Sequence, residues 1–210
     1  MTAQAVAETH ERKDKSGAII DAATRVFLEC GYGNASMDAI AAEAGVAKQT
    51  LYSHFGSKAQ LFEAIVIDRC TELLGLADAA GRERETEDTP EVSLHRAGQR
   101  FLRVILDTGS IGHYRAVVSE SARFPELAEA FYRAGPLRAV ACLGSELQAF
   151  DTRGLLRVDD PEASAHLFYA MLRGDLHMRC VLGLCDKPDP SEIDTWVSRV
   201  VAAFVAIHRP

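Results

Sequence analysis

Lys48, Gln49, Thr50, Ser53 and His54 crowd one short segment, and their side chains are of the kinds that contact nucleic acid. A Gln amide bonds adenine through a donor and an acceptor at once, and a Lys ammonium reaches guanine or a phosphate. Leu51 and Phe55, four residues apart, share a helical face and can pack on Ile40 and Ala41, which leaves the polar row more outward. A helix this short needs neighbours to hold it. Upstream, Ser36 is placed to cap a second short helix running to Ala44, with Asp38 at the positive end of its dipole. Gly45-Val46 makes a tight turn and Ala47 to His54 the third helix, although Ala47 lacks the side-chain oxygen of a cap worth ~1 kcal/mol. Ahead of both, Ile19, Ala22, Ala23, Val26, Phe27 and Cys30 recur at three- and four-residue steps. They predict a helix from about Asp14 that Gly31-Tyr32-Gly33-Asn34 ends. Three helices with a tight turn between the last two form a helix-turn-helix, the arrangement that lays the third helix in the DNA major groove.

Ser57-Lys58-Ala59-Gln60 is a capping box. It opens a fourth helix of roughly 24 residues, about 36 Å long, with Leu61, Phe62, Ile65, Val66, Leu73, Leu74 and Ala77 on its apolar face. The charged stretch 81–90 is the best boundary in the chain. Thr89-Pro90 and Asp160-Pro161 are caps followed by proline at the first helical position, where its missing N–H is not needed. The first starts a helix with Leu94, Ala97, Gly98, Phe101, Leu102 and Ile105 on one face, and the second a helix to about Gly183. Between them lie a helix from Ser110 to about Arg123 and another restarting at Phe124-Pro125. The latter is expected to kink at Gly135-Pro136, where proline clashes with the carbonyl of Tyr132. Ser191 opens the last helix, which ends near His208. No segment reads as a strand. The expected fold is all-α with about nine helices, divided into a flexible arm (1–13), a helix-turn-helix domain (14–60) and a second helical domain (61–210).

Composition bears on the DNA reading. The 210 residues carry 23 Lys+Arg against 30 Asp+Glu, a formal charge of −7, whereas non-specific DNA affinity comes from cations neutralising phosphates. The acidity is unevenly placed. Residues 1–62 hold six basic and seven acidic side chains and four of the five lysines. The chain therefore excludes a protein that binds DNA by bulk charge, and implies weak non-specific attraction with sharper dependence on the correct site. Cys30, Cys70, Cys142, Cys180 and Cys185 show no paired spacing, as expected of reduced thiols in a cytosolic chain. Residues 1–15 contain no apolar core of a secretory signal, and the longest apolar run, Val200 to Ile207, falls short of the ~20 residues of a spanning helix. A soluble, cytoplasmic protein without a membrane partner is expected.

The run from Gly31 to Phe62, GYGNASMDAIAAEAGVAKQTLYSHFGSKAQLF, resembles the DNA-binding domain of the tetracycline-repressor (TetR) family of bacterial transcription regulators, and its LYSHFGSKAQLF block is specific. The resemblance implies that Tyr52 and His54 grip phosphates. It implies the same for Ser36 and Lys58, at helix N-termini where backbone N–H groups and the dipole favour an anion. On this reading Lys58→Ala weakens binding to all sequences alike and shallows the salt dependence by about one phosphate's worth. ARFPELAEAFYRAGP and RGLLRVDDPEASAHLFYAMLRG resemble the C-terminal domain of AcrR-like members. That likeness implies a mostly apolar ligand cavity and pairing of the last two helices with a second copy. Phe101, Ile105, His113, Tyr114, Val117, Phe131, Phe168, Met171 and His177 are the candidate lining, with plain core packing the alternative for each. The last helix also carries more apolar surface than one buried stripe needs, so Trp196, Val197, Val200 and Phe204 are expected at a twofold interface. A twofold dimer reads a palindrome. The expected function is a homodimeric repressor released from a palindromic operator in double-stranded DNA by a small lipophilic or aromatic effector.

Rival chemistry finds little support. Gly31-x-Gly33-x-x-Ser36 follows a helix where a dinucleotide loop needs a strand. G-x-S-x-G, HExxH, P-loop and Glu-x-x-His patterns are absent, so no catalytic residue and no cofactor is expected. His177, Cys180 and Cys185 lie only partly on one helical face, and no second cluster completes a set of four metal ligands. Inert buried thiols are the expectation there, and a thiol-sensing regulator using Cys180 and Cys185 the alternative. A helical ligand-binding protein without DNA function is the third class.

Overall fold

The computed structural model describes residues 3–74, 88–185 and 188–210, with side chains from residue 16 onward apart from those of 72–74. Ten α-helices and no strand occupy the described residues. They are α1 (Ala3–Asn34), α2 (Met37–Glu43), α3 (Lys48–Phe55), α4 (Lys58–Leu74), α5 (Pro90–Ile105), α6 (Thr108–Glu120), α7 (Pro125–Tyr132), α8 (Arg138–Thr152), α9 (Pro161–Val181) and α10 (Pro190–Ile207). Between α7 and α8 the chain makes a π-helical turn, Arg133–Leu137, with Pro136 inside it. This run is the kinked helix of the sequence reading. Proline removes an N–H and crowds the carbonyl four residues back, and a widened turn accommodates both.

Most boundaries follow their capping residues. Ser36, Thr89 and Asp160 accept the N–H groups of Ala39, Val92 and Ala163, and Pro90, Pro125 and Pro161 begin their helices. Two starts differ. α1 opens at Ala3, so the arm expected over 1–13 is helical from there on; its Ala, Glu, Arg and Lys favour helix without the apolar periodicity that marks a buried one. α10 begins at Pro190, because Asp189 takes the cap by accepting the Ser191 N–H at 2.8 Å. At Gly31 (φ +78) α1 leaves helical geometry, where the Gly-rich break was expected. The stretch 81–87 and the fourth helix beyond Leu74 lie outside the described residues.

The chain packs as two compact units: Met1–Asp68 with Arg115–Ala134, and Arg69–Tyr114 with Gly135–Pro210. The first buries Ile19, Phe27, Ile40, Leu51, Leu61 and Phe62 together with Leu127 and Ala130 from much later in the chain. Tyr32 centres its aromatic cluster, with ring centroids 5.5 Å from Phe27, 5.9 Å from Phe62 and 5.4 Å from Phe124. The second unit is built on Leu94, Leu102, Leu143, Leu147, Phe168, Leu172, Val197 and Phe204, each contributing roughly 1.5–3 kcal/mol by burial.

α10 departs from the sequence reading. Val197 and Phe204 are 0% exposed and Val200 3%, all within a single chain. Val197 lies against α5 at Gly98, where a Cβ would come within 2.9 Å of it, and Phe204 packs edge-on to Phe168 at 5.1 Å. The surplus of apolar surface is absorbed by α5 and α9 of the same chain, so these three side chains are core and not a dimer face. Val200→Glu would therefore bury a charge and unfold the unit instead of yielding a folded monomer. Trp196 is half-buried, its indole N–H donating to the Leu172 carbonyl at 2.9 Å. Among the described residues no helix is long and apolar enough to cross a membrane.

Candidate nucleic-acid interface

α2 and α3 are fixed from beneath. Met37, Ile40 and Ala41 are the buried residues of α2, and Leu51 anchors α3 with no exposure. Gly45 at φ +66 makes the turn between them, and the Val46 N–H returns to the Ala41 carbonyl at 3.0 Å. A left-handed residue at that point favours glycine, which meets no Cβ penalty there. Lys48, Gln49, Tyr52 and Ser53 are left exposed, with Thr50 and His54 half-buried beside them. The expected outward row thus stands on one short helix.

Its charges are arranged locally. Lys48 Nζ lies 2.7 Å from Asp38 Oδ1, bridging α3 to α2, and 5.9 Å from the centre of the Tyr52 ring. The hydrogen bond to Asp38 holds the Lys48 ammonium above its usual range, so it stays cationic. Ser53 Oγ donates to the Thr50 carbonyl at 2.8 Å. Ser36 is exposed, and its hydroxyl oxygen accepts the Ala39 N–H at 3.0 Å. At the start of α4, Ser57 Oγ accepts the Gln60 N–H at 3.2 Å and donates to Gln60 Oε1 at 3.3 Å, a capping box closed on the hydroxyl itself.

Lys58 is placed otherwise than the resemblance implied. Its ammonium is half-buried, donating to the carbonyls of Tyr32 at 2.6 Å and Ala35 at 3.0 Å. It lies 4.3 Å from the Tyr32 ring centre and 5.5 Å from that of Phe124. Burial lowers its pKa, against the pull of Glu126, Cys30 and Glu120. The side chain satisfies the carbonyls at the end of α1 and joins α4 to the α1–α2 turn. Sequence reasoning also missed the partners that complete this arrangement. Phe124 covers Gly33, where a Cβ would meet its ring at 2.9 Å, and Arg133 binds the Glu63 carboxylate through Nε (2.9 Å) and Nη2 (2.6 Å). The aromatic residue ahead of Pro125 was the available signal.

The candidate pocket residues divide between the units. Val117 is buried and Phe131 half-buried in the first. In the second, Phe101 and Phe168 belong to the core, Ile105 and Met171 pack against it, and His113 Nδ1 lies 2.8 Å from the Gly109 carbonyl. Tyr114 meets His177 edge-to-face at 5.0 Å. An open groove of about 320 Å³ between α9 and α10 is lined by other residues, among them Asp175, Arg179, Glu192 and Arg199. Burial, with Arg173 adding to it, lowers His177 to about 4. The unfolded chain then takes up a proton near pH 6.5 that the folded chain refuses until about 4, so stability falls as pH drops through that window. The loss expected is up to about 3 kcal/mol, and His177→Gln should flatten the slope in thermal unfolding measured from pH 7 to 4.

An all-helical chain that presents an exposed polar helix on a sealed helix-turn-helix is, in class, a DNA-binding transcription regulator. Comparison gives the family. Residues 19–65 match the family model described as bacterial regulatory proteins, tetR family, and residues 92–210 the AefR-like transcriptional repressor C-terminal domain. The chain belongs to the TetR family of bacterial transcription regulators. Its C-terminal half, likened above to AcrR-like members, is thus matched by the AefR-like description. The chain is 46% identical over 55 residues to the transcriptional activator FasR of Mycolicibacterium smegmatis, covering 26% of this chain and 25% of that protein. It is 32% identical over 118 residues to the transcriptional repressor Rv3405c of Mycobacterium tuberculosis, covering 56% and 57%. The matches thus take in between a quarter and rather more than half of these relatives' lengths. Among solved structures, a TetR-family regulator from Mesorhizobium loti superposes with a TM-score of 0.78 at 27% identity, over 95% of this chain and 98% of that one. The flavonoid-responsive regulator FrrA gives 0.73 at 30% identity, over 94% and 98%.

Proposed function

We propose that this chain acts in the cytoplasm as a homodimeric repressor, reading a palindromic operator through α3 and released from it by a small aromatic effector. The observation that carries the reading is α3 itself. Leu51 is sealed beneath while the Gln49 amide stands exposed between Lys48 and Tyr52, a geometry suited to a base edge flanked by phosphates. Thr50 and His54 flank the same groove face, with Ser36 and the α4 N-terminus toward the backbone. Repression is favoured by the AefR-like repressor match and by the name of the tuberculosis relative. An aromatic effector is favoured by the flavonoid response named for FrrA. Such a ligand acts only by as much as it prefers the non-binding conformation.

Binding-site selection from random duplexes tests the reading, and failure to enrich any palindrome at low salt would sink it. Within the selected site, Gln49→Ala should cost about 1–3 kcal/mol at one or two base positions and relax the preference there. An unchanged preference takes Gln49 out of the readout. Adding a flavonoid should release the selected duplex.

With Val197, Val200 and Phe204 in the core, the twofold contact falls to the outer stripes of α9 and α10. Ala163, Leu167 and Ala170 on one, and Ala202, Ala203, Ala206 and Ile207 on the other, are exposed small or apolar residues at helical spacing. Ala203→Glu should give a folded monomer in sedimentation and weaken operator binding at least tenfold. A dimer that survives it lies elsewhere.

A further inference from the structure

The side chains described between residues 16 and 68 include three Lys or Arg, namely Arg25, Lys48 and Lys58, and each is engaged within the fold. Lys58 donates to the carbonyls of Tyr32 and Ala35. Arg25 on α1 and Lys48 on α3 are exposed, and both are met by acids of α2. Arg25 Nε lies 3.0 Å from Glu43 Oε1 at the end of α2. Lys48 Nζ lies 2.7 and 2.9 Å from the two carboxylate oxygens of Asp38, in the first turn of α2. α2 thus carries an acid toward each end, and each is set against the cation of a neighbouring helix.

The Lys48–Asp38 pair matters most because of where it stands. Lys48 is the first residue of α3, at the end by which a recognition helix approaches base edges and the phosphates beside them. The two side chains keep 59% and 63% of their surface in solvent, so DNA could reach either. A free ammonium on a flexible stem would take a phosphate of any sequence and release a counterion. A neutral pair displaces none. Opening it exchanges one anionic partner for another and leaves the Asp38 charge facing the phosphates.

We propose that Asp38 is a specificity-determining residue, which withholds the Lys48 ammonium from phosphates and keeps the affinity for non-operator DNA low; this rests on α3 being the helix that meets DNA. Net acidity weakens non-specific attraction everywhere on the molecule, whereas Asp38 does so at the single Lys or Arg of α3. An acid that served only the dipole of α2 would affect stability and leave DNA binding alone.

Full-length protein, its Asp38→Asn and Lys48→Met variants and the double variant are titrated with a fluorescent duplex of scrambled sequence at several salt concentrations. Asp38→Asn should tighten binding roughly five- to tenfold at ~0.1 M salt and steepen the slope of log affinity against log salt by about 0.9 per protomer bound. Lys48→Met alone should leave the slope unchanged, because the ammonium is already taken. In the Asp38→Asn background it should abolish the gain. A shallower slope for Lys48→Met alone overturns the proposal, since Lys48 would then touch phosphate in the native protein. So does a gain from Asp38→Asn that survives the loss of Lys48, which would make the effect the acid's own repulsion. An unchanged slope in Asp38→Asn overturns it too, and Gln49→Ala on the selected operator then locates the fault. Relaxed base preference there means that Asp38 alone was misassigned, and unchanged preference that α3 was.

Discussion

Replacing Lys58 with alanine is expected to cost the fold about 2–4 kcal/mol and to leave the salt dependence of DNA binding unchanged. The ammonium satisfies two carbonyls at the end of α1, at 2.6 and 3.0 Å, and sits against the rings of Tyr32 and Phe124. Removing it forfeits two hydrogen bonds of about 0.5–1.5 kcal/mol each and a cation–π contact of about 0.5–1 kcal/mol. A phosphate contact would behave differently. Its loss would shallow the slope of log affinity against log salt by about one charge and leave stability alone. Thermal unfolding together with titrations at several salt concentrations separates the two. Lys58→Arg should rescue little, because a planar fork does not fit a site shaped for a compact ammonium between two carbonyls. Unchanged stability with a shallower slope would return the side chain to the DNA backbone.

The second large effect belongs to the break in α9. Gly174 stands at φ +35, ψ −146, outside helical geometry, and the Trp196 indole enters there to donate to the Leu172 carbonyl. A Cβ on Gly174 would lie 2.8 Å from Trp196 Cζ2, and its backbone conformation is one that side chains avoid. Gly174→Ala should therefore cost about 1–3 kcal/mol. Trp196→Ala should cost about 3 kcal/mol through lost packing and an unmet carbonyl. The informative variant is the double one. With the indole gone, alanine at position 174 can restore a regular helix and gain the ~1 kcal/mol by which it exceeds glycine there. Urea unfolding of the four proteins should show strong coupling, with Gly174→Ala changing sign between backgrounds. Additive costs would mean that the break does not depend on Trp196.

What the sequence made legible follows from which forces are local. Ser36, Thr89, Asp160 and the prolines after Thr89, Phe124 and Asp160 act within four residues, and the helices they open lie where their types predict. The outward row of α3 was legible for the same reason, since Leu51 marks the buried side of a short helix. Periodicity also identified the apolar face of α10, yet it says that a face is covered and not by which chain. Val197 and Phe204 were assigned to a partner and belong to the core. Lys58 shows the limit for polar groups: its partners are Tyr32, Ala35 and Phe124, and nothing in the local pattern names them. The relation of Cys180 to Cys185 was judged on a continuous helix, which Gly183 ends.

The packing of Phe124 and Leu127 with residues of the first 68 has a consequence for the order of events at the ribosome. Synthesis proceeds at about 5–20 residues per second and domains fold as they emerge. The helix-turn-helix segment is out of the tunnel seconds before its last structural neighbours exist. Until Ala134 has followed, Tyr32 and Gly33 lack the ring that covers them, and Glu63 lacks Arg133. A nascent chain therefore cannot complete the core of its first unit before the whole segment between Asp68 and Arg115 has been made. Fragments that stop short of residue 124 leave the Tyr32–Phe27–Phe62 cluster without its fourth ring, and those are the species expected to engage chaperones.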